Sequence, residues 1–410
     1  MKVTIVVGGR WHAFDLALEL ETKGHLHKII TSYPAWFVRK WGIPGNKIVS
    51  LPLIFFLVKL IYKIGGEPLM MKMQWVIHQR FANQAAKHLE GTEILHAWSG
   101  FAEPSLIWAK SRQVPAVLER SSAHILEQSF LLQSEYTRLG SVWNHTHPKI
   151  EEMECREYDL ASIVSVPSTF VQDTFKKRGF LESKVRKHLL GANLTKFQPR
   201  LNSKQYPNDR STNGLKILFV GSLTPQKGVH DLLWAFKSFR SSSSSLTLLG
   251  GGMSTEIEQI VRQNNDKRIL LPGHQYQDNL IHYYLDHDVL VLPSIQDGFG
   301  MVLAQALCCG LPIISSTNTG GKDLLELDGF LPCRTDYGGQ SCLEYSAGWI
   351  IPIRSPEIIA SIFNFLSDNP DVLGRKKSAA IRLRNSNISW NAYASSLCST
   401  YSSLLDHAIN

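Results

Sequence analysis

Hydrophobic residues occur along this chain in short runs, separated by stretches in which apolar and polar positions alternate at helical spacing. Residues 3–7 (VTIVV) form a β-branched run that predicts a buried strand. Gly8 and Gly9 follow it and predict a turn, and the next stretch, FDLALELETKGH, fits a helix with one apolar face. The chain therefore opens with a strand, a glycine turn and a helix.

The same unit recurs through the first half of the chain. Strands are predicted at residues 92–98, 115–120 and 163–168, and we take the last of these as the final strand of the domain. Strands that alternate with helices are typical of a parallel sheet. The first half is therefore predicted to be one α/β domain, covering residues 1–197.

A polar stretch rich in proline, asparagine and serine separates this domain from a second one. Residues 198–213 have no hydrophobic period, which is typical of a linker. The second half then restarts with the runs KILFV, LTLL, DVLVL and LPIISS, which again predict strands between helices. We therefore predict a second Rossmann-like domain at residues 214–390.

Composition and charge narrow the possible functions. Hydrophobic residues make up 44% of the chain and charged residues 19%, which excludes a disordered protein. There are 43 basic and 35 acidic residues, and the net charge of +8 favours polyanionic partners. Nucleic acid is disfavoured as a partner because the basic residues are spread along the chain and not clustered.

The cysteines and the hydrophobic runs bear on location. Six cysteines without a CxxC or Cys/His spacing argue against a disulfide framework and against a zinc site. The N-terminus runs directly into a strand and has no signal-peptide pattern, so a cytoplasmic location is expected. The most apolar run, Leu51–Ile64, contains Lys59 and is shorter than the roughly 20 residues that cross a bilayer.

Two segments of the second half have the residue types that bind phosphate and sugar. In GSLTPQKG, Gly221, Ser222 and Lys227 lie between a predicted strand and helix, where backbone amides and a lysine attract phosphate. The alternative for this segment is an ordinary turn with a surface lysine.

The second segment is LPSIQDGFGMVLAQALCCGLPII. Asp297 precedes a predicted helix and Gln305 lies eight positions further on, so that both side chains are expected to reach one ligand. Gly298 and Gly300 are expected to let the backbone approach that ligand closely. The alternative is a loop with a helix-capping aspartate and an exposed glutamine.

In order and spacing, the motifs of the second half resemble the retaining glycosyltransferases of GT-B fold of the family-4 type, also called group 1. The motifs that carry the resemblance are FVGSLTPQKGV, LLGGGMSTEI, LPGHQYQDNLIHYY, DVLVLPSIQDGFGMVLAQALCCGLPII and TGGKDLL. The resemblance implies two Rossmann-like domains facing across a cleft. It implies a nucleoside diphosphate sugar as donor, a glycan or lipid-linked acceptor as in polysaccharide biosynthesis, and no cofactor or metal.

The resemblance also implies roles for individual residues of the second half. Lys227 would bind the donor diphosphate, while Ser222 stands where relatives often have an arginine. Either Ser222 and backbone amides replace that charge, or another cation such as Arg10 or Lys322 supplies it. Asp297 and Gln305 replace two family glutamates and would hold the donor sugar and the ribose. The remaining donor-binding residues implied are Gly221, Gly273, His274, Gly298, Phe299, Gly300 and Met301.

In the first half, the segment VLERSSAHI places Arg120 and His124 after a predicted strand. We expect both at the mouth of the cleft, as catalytic or acceptor-side residues beside Asp297. His96 is a further candidate, although a buried structural histidine is an equally good interpretation. Gly8, Gly9 and Arg10 would approach the diphosphate, and GGRWHA lacks the G-x-G-x-x-G pattern of a dinucleotide site.

Two further features are expected from the ends of these domains. The C-terminal segment SWNAYASSLCSTYSSLL is amphipathic, and we expect a last helix at about residues 391–410 to pack back on the N-terminal domain. Around Leu51–Ile64, lysines and aromatic residues suggest a surface that rests on the anionic inner face of a membrane. An ordinary core helix is the alternative for that segment.

Two other functions fit the altered acidic pair. A protein of this fold that binds sugar nucleotides without catalysis would show binding but no turnover. A nucleotide-sugar epimerase or hydrolase would convert the donor in the absence of an acceptor.

Overall fold

The computed structural model describes residues 1–143, 146–199, 214–276, 278–337 and 339–409. Its N-terminal domain contains a sheet of seven parallel strands in the order β3-β2-β1-β4-β5-β6-β7. The strands are β1 (Val3–Val7), β2 (Leu26–Thr31), β3 (Ile48–Ser50), β4 (Ile94–Trp98), β5 (Ala116–Glu119), β6 (Ile163–Val166) and β7 (Val185–Lys187). Such a strand order places the loops at the carboxyl ends of the strands along one edge.

Helices cover both faces of this sheet because its strands are hydrophobic on both faces. In β1, for example, Ile5 packs into one core and Val6 into the core on the opposite face. The helices are α1 (Ala13–Thr22), α2 (Ala35–Arg39), α3 (Pro52–Ala85), α4 (Glu103–Ser111), α5 (Ile125–Arg138), α6 (Pro148–Leu160) and α7 (Thr169–Lys176). The backbone of α3 leaves helical geometry at Gly66, two residues before Pro68, and the helix is kinked there.

The C-terminal domain has an eight-stranded sheet in the order β10-β9-β8-β11-β12-β15-β14-β13. Its strands are β8 (Lys216–Val220), β9 (Ser245–Leu249), β10 (Ile269–Gly273), β11 (Val289–Leu292), β12 (Ile313–Ser316), β13 (Cys333–Tyr337), β14 (Gln340–Tyr345) and β15 (Gly348–Ile351). Its helices are α8 (Val229–Ser238), α9 (Thr255–Asn264), α10 (Leu280–Asp286), α11 (Met301–Cys308), α12 (Gly321–Leu325), α13 (Pro356–Asp368) and α14 (Pro370–Leu383). The two α/β domains confirm the predicted fold class.

Two details of the predicted sheets were wrong or incomplete. The strand at 163–168 is not the last of its domain, because β7 pairs with β6 in parallel and forms the edge. The hairpin of β13 and β14 adds two antiparallel strands to an otherwise parallel sheet. Residues 200–213 of the predicted linker lie outside the described residues.

The last helix, α15 (Trp390–Ile409), returns to the N-terminal domain as predicted. It packs against α1, and the Tyr401 hydroxyl lies 2.6 Å from Nδ1 of His96 in β4. Thr400 contacts His188 at 2.9 Å. The chain therefore crosses between the domains twice, and this second crossing ties the C-terminal domain to the N-terminal sheet.

Direct contacts also hold the two domains together. Glu135 of α5 is paired with Arg354 at 2.6 Å and lies 2.6 Å from His230 of α8. Burial alone would raise the pKa of Glu135, but His230, Arg138 and Arg354 outweigh it and lower the pKa to about 2. The domain interface therefore contains an ionised carboxylate held by groups from both domains.

Candidate active site between the two domains

A cavity of about 450 Å³ lies between the domains, at the carboxyl ends of the strands in both sheets. The N-terminal domain and the crossing segments line one wall, and the loop before α11 lines the other. The lining residues are Arg10, Trp11, His12, Asp15, Trp41, Ser121, Leu190, Asn193, Lys196, Phe197, Asp297, Phe299, Gly300, Met301, Gln305 and Trp390. Asp297, Phe299, Gly300, Met301, Gln305 and Arg10 are therefore together, as predicted from the sequence.

Asp297 and Lys227 meet at this cavity. The Lys227 ammonium lies 2.6 Å from Oδ2 of Asp297, and the Gly300 amide donates a hydrogen bond of 3.1 Å to Oδ1. Both side chains are about one-fifth exposed. The lysine predicted to bind phosphate and the acid predicted to hold the sugar are thus paired with each other, so an incoming anion competes with Asp297 for Lys227.

Glycine is required at two positions of this loop, for a different reason at each. Gly300 has a φ of +75°, in the left-handed region that favours glycine. At Gly298, a Cβ atom would lie 1.8 Å from the Ser121 carbonyl oxygen, and the Gly298 carbonyl accepts a hydrogen bond from Ser168. The prediction that Gly298 makes room for a ligand is therefore corrected, since the opposite domain occupies that space.

Gln305 is 5% exposed and lies in the first turns of α11. Its Oε1 atom accepts a hydrogen bond of 2.8 Å from the Tyr284 hydroxyl. This bond fixes the side-chain amide, so that its NH₂ group is the part left for a ligand in the cavity.

A second cavity, of about 650 Å³, lies beside the C-terminal sheet. It is lined by Val220, Gly221, Ser222, Leu249, Gly250, Gly251, Gly252, His274, Gln275 and Leu280. A Cβ atom at Gly250 would lie 1.7 Å from the Gly221 carbonyl oxygen, so the two strand ends pack without side chains there. Gly273, with a φ of +78°, ends β10 next to His274. Of the predicted donor-binding residues of these turns, Gly221, Ser222 and His274 therefore share one cavity, and Gly273 precedes His274 without lining it.

Two predicted residues of the N-terminal domain, Arg120 and His124, lie elsewhere than expected. Arg120 is 7% exposed, and its guanidinium is paired with Glu154 at 2.8 Å and bonded to the Ala123 carbonyl. It is occupied inside the domain, so its predicted position at the cleft mouth is corrected.

His124 is likewise internal, at 3% exposure. Its Nδ1 atom accepts from the Leu126 amide and caps α5, and the ring packs against Tyr158, Phe175 and Phe180. Burial and the nearby Arg120 lower the pKa of His124 to about 4. The cleft position predicted for it is corrected too, because the aromatic cluster encloses the ring.

His96 is fully buried in β4 and bonded to Tyr401, which agrees with the structural interpretation. Gly8 and Gly9 lie beside the cavity, and their carbonyls accept from Ser32 and Thr31. Lys322 is 45% exposed and lies 4.0 Å from Glu326, outside the lining of the cavity. Arg10 is therefore the cation that the structure brings to the cavity from this group.

Sequence reasoning missed His12 and Asp15. Both line the cavity at the start of α1, and His12 Nε2 lies 3.1 Å from Oε1 of Glu119 in β5. The one available signal was their position directly after the glycine turn of the first strand, where a helix N-terminus meets the edge of the sheet.

One group among the described residues has metal-ligating atoms close together, namely Glu135, His230 and Asp231. Arg138 lies 2.5 Å from Glu135 and 2.9 Å from Asp231, and Arg354 pairs with the same glutamate. These cations neutralise the carboxylates, and the group serves as the domain contact described above.

Residues 203–377 match the family described as Glycosyl transferases group 1. The chain is 27% identical over 202 residues to an uncharacterized glycosyltransferase of Methanocaldococcus jannaschii, an alignment that covers 47% of this chain and 52% of that protein. It is 28% identical over 195 residues to glycogen synthase of Mycobacterium tuberculosis, covering 46% of this chain and 43% of the synthase. The chain thus spans about half the length of these curated relatives.

The structure of Anabaena HepE in complex with UDP is similar over both domains. The TM-score is 0.67 at 14% sequence identity, and the alignment covers 98% of this chain and 100% of HepE. At that identity the likeness concerns the fold. Residues 203–377 thus match the group 1 glycosyltransferases, and the two domains together have the GT-B fold.

Proposed function

We propose that this chain transfers a sugar, with retention of anomeric configuration, from a nucleoside diphosphate sugar to a glycan or lipid-linked acceptor. The observation that carries the proposal is the cavity between the domains. One wall presents Asp297, Gln305 and Gly300, and the opposite wall presents Arg10 from the other domain. Such a cavity brings donor and acceptor together away from bulk water.

The C-terminal domain supplies the donor site in this proposal. A bound diphosphate replaces Asp297 as the partner of Lys227, because a diphosphate carries more charge and offers more acceptor oxygens than one carboxylate. Asp297 is then free to accept hydrogen bonds from sugar hydroxyls. The cavity at Gly221, Ser222 and His274 takes the nucleoside.

No metal ion or cofactor takes part in this proposal. Lys227 and Arg10 neutralise the leaving diphosphate, and the amides at the start of α11 add partial positive charge. Transfer that persists in the presence of EDTA would support this, and activity restored only by a divalent cation would contradict it.

The test is a nucleotide-release assay with UDP-glucose, UDP-N-acetylglucosamine, GDP-mannose and ADP-glucose, each with and without simple sugar acceptors. UDP-sugars come first because HepE was captured with UDP. Release that requires an acceptor supports transfer, and NMR of the product's anomeric proton tests retention. Donor conversion without acceptor indicates an epimerase or hydrolase instead, and nucleotide binding without turnover indicates a protein that has lost catalysis.

The acceptor side is proposed to rest on the anionic cytoplasmic face of a membrane, as a lipid-linked acceptor requires. In α3, Leu53, Phe56, Leu60 and Ile64 follow one another at helical spacing, and all four are more than half exposed. Lys59 and Lys63 are exposed beside them. None of the described helices has the length and hydropathy to cross a membrane, so this surface lies on the bilayer in the proposal.

Vesicle pelleting tests this membrane contact. Wild type should pellet with phosphatidylcholine vesicles that contain phosphatidylglycerol and remain in solution with phosphatidylcholine alone. Lys59→Gln with Lys63→Gln should weaken binding by about 1 kcal/mol per lysine. Lys237→Gln with Lys267→Gln, two exposed lysines of the other domain, is the matched control. Equal pelleting with both vesicle types would remove the proposal.

A further inference from the structure

Trp11 is a half-exposed tryptophan in the wall of the cavity between the domains. It lines this cavity and is 50% exposed. Gly9 lies against its six-membered ring, since a Cβ atom at Gly9 would be 3.4 Å from three of the ring carbons. The ring of Phe101 lies 5.8 Å away by centroids. Gly9 and Phe101 thus support the indole, while half of the residue's surface stays accessible.

The other aromatic side chains of the cavity are covered by neighbours. The guanidinium of Arg10 lies over the ring of Trp41 at 4.9 Å. Trp390 stacks on His12 at 6.2 Å by ring centroids. Two phenylalanines of the lining are buried, namely Phe197 and Phe299. Among the described residues that line the cavity, Trp11 is therefore the most exposed aromatic side chain.

The backbone at Trp11 has an unfavourable conformation. Its φ is +36°, in the left-handed region that bulky side chains rarely adopt. Glycine or asparagine would fit this position with less strain. Strained residues of this kind are often found at binding and catalytic sites, where the surrounding structure holds them in place. The tryptophan thus occupies a position that the backbone alone does not favour, with its indole at the cavity.

A carboxylate belongs to the same wall of the cavity. Asp15 lies in the first turn of α1, four positions after Trp11, and lines the same cavity. Among the described residues, no side chain is hydrogen-bonded to its carboxylate. Its oxygens can therefore accept hydrogen bonds from a ligand. The wall combines an open aromatic face with a hydrogen-bond acceptor.

This combination suits a sugar ring. The C–H groups on one face of a pyranose carry partial positive charge and are attracted to the negative face of an aromatic ring, while its hydroxyls donate to a carboxylate. Trp11 and Asp15 belong to the N-terminal domain, whereas Asp297 and Gln305 line the cavity from the C-terminal domain. A sugar on Trp11 would thus face the proposed donor.

We propose that Trp11 and Asp15 form the subsite for the acceptor sugar. The sugar lays its apolar face on the indole and donates hydrogen bonds from its hydroxyls to Asp15. The proposal rests on the sugar transfer proposed above and names its acceptor class, a neutral sugar, because a carboxylate in the subsite disfavours an acidic one. Both residues bind the acceptor without exchanging a proton, so the subsite is compatible with retention.

Saturation-transfer NMR tests the subsite without turnover. The probes are methyl glucoside, methyl galactoside, methyl mannoside and methyl glucuronide at millimolar concentration, with UDP present. Wild type should bind a neutral glycoside, with the strongest saturation on the protons of one ring face. Trp11→Asn should weaken this binding about tenfold or more, and Trp11→Phe should retain part of it.

The matched control is Trp36→Asn, at a tryptophan of α2 that is 61% exposed and does not line the cavity. This control should bind the glycoside as wild type does. Unchanged binding in Trp11→Asn would overturn the proposal. So would preference for the glucuronide, or the absence of binding of every glycoside to wild type.

Stability and nucleotide affinity separate a binding role of Trp11 from a structural one. Trp11→Asn should keep or raise the urea midpoint, because asparagine tolerates a positive φ, and it should leave UDP affinity unchanged. A large loss of stability, or an equal loss of UDP affinity, would overturn the acceptor role. Asp15→Asn should reduce the discrimination between glycosides that differ at one hydroxyl, and unchanged discrimination would remove Asp15 from the subsite.

These results also distinguish the subsite from the transfer reaction. Glycoside binding that depends on Trp11, without turnover of any nucleotide sugar, would support the subsite and contradict the proposed transfer. Sugar transfer with an acceptor KM that is unchanged in Trp11→Asn would support the transfer and overturn the subsite.

Discussion

The two halves of this chain differ in how well their sequence predicts which residues line the cavity. In the C-terminal half, Lys227, Asp297 and Gln305 come from short strand–turn–helix segments. Asp297 and Gln305 line the cavity between the domains, and Lys227 is paired with Asp297. In the N-terminal half, Arg120 and His124 also follow a strand, yet both are buried inside the domain. Polar residues at strand ends thus point to a site in one half and to internal structure in the other.

The difference has a physical cause. In the C-terminal half, the loop after β11 makes a left-handed turn at Gly300 and keeps Asp297 at the cavity wall. After β5, by contrast, the side chains find partners in α6 and α7, such as Glu154 for Arg120. A buried charge persists only when it is paired, and the partner lies in a distant part of the sequence.

The largest expected effect tests whether Arg120 is structural. Arg120→Met leaves Glu154 buried without its cation, and it should lower the free energy of unfolding by about 3–5 kcal/mol. Urea denaturation measures this. Arg112→Met, at a side chain that is 54% exposed, should change stability by only about 0.5 kcal/mol. A stable Arg120→Met protein with weakened acceptor binding would show instead that Arg120 acts at the cleft.

A smaller effect is expected in the C-terminal half, where it tests whether Gln305 binds a ligand in addition to its structural role. Gln305→Met removes the acceptor of the buried Tyr284 hydroxyl, and it should lower stability by about 1–3 kcal/mol. The same change should weaken nucleotide binding, measured by calorimetry. Tyr284→Phe is the matched control, because it removes the hydroxyl and keeps the Gln305 amide. If Gln305→Met alters stability alone, Gln305 is structural and the two halves resemble each other more than proposed.

The smallest effect concerns the pH dependence of stability. Burial lowers the pKa of His124 to about 4, so the unfolded chain takes up a proton there below about pH 6.5 while the folded chain stays neutral. Stability due to His124 is therefore lost as the pH falls from about 6.5 to 4.

His124→Asn keeps a side chain that can cap α5 and should make this pH dependence shallower. Urea unfolding at several pH values measures the slope. The pH profile of kcat should be the same in His124→Asn as in wild type. A changed kcat profile would restore a catalytic role to His124.

Much of the fold could be predicted because it depends on local patterns. The β-branched runs at 3–7 and 216–220 are strands, and the amphipathic C-terminal segment is the returning helix α15. Strand β7 has only three residues, and one of them is exposed, so it lacks a hydrophobic run. The strand β13 is largely exposed and gives a similarly weak pattern.

The site could be predicted only where its residues are close in sequence. His12 and Glu119 are 107 positions apart, and no spacing rule relates them. The contact of Gly298 with Ser121 joins two domains, so the sequence suggested a ligand where the structure places a backbone. Asp297 and Gln305 could be predicted to lie together because one loop and the helix that follows it contain both residues.

Binding of the donor by the C-terminal half through Lys227 can be tested directly. Calorimetric titration with UDP, GDP and ADP tests it, with wild type, Lys227→Ala and the exposed-lysine control Lys237→Ala. We expect saturable binding of one nucleotide to wild type and to the control. In Lys227→Ala this binding should be weakened about tenfold or more, which corresponds to about 1.4 kcal/mol. Equal affinity in Lys227→Ala, or no binding of any nucleotide at millimolar concentration, would contradict it.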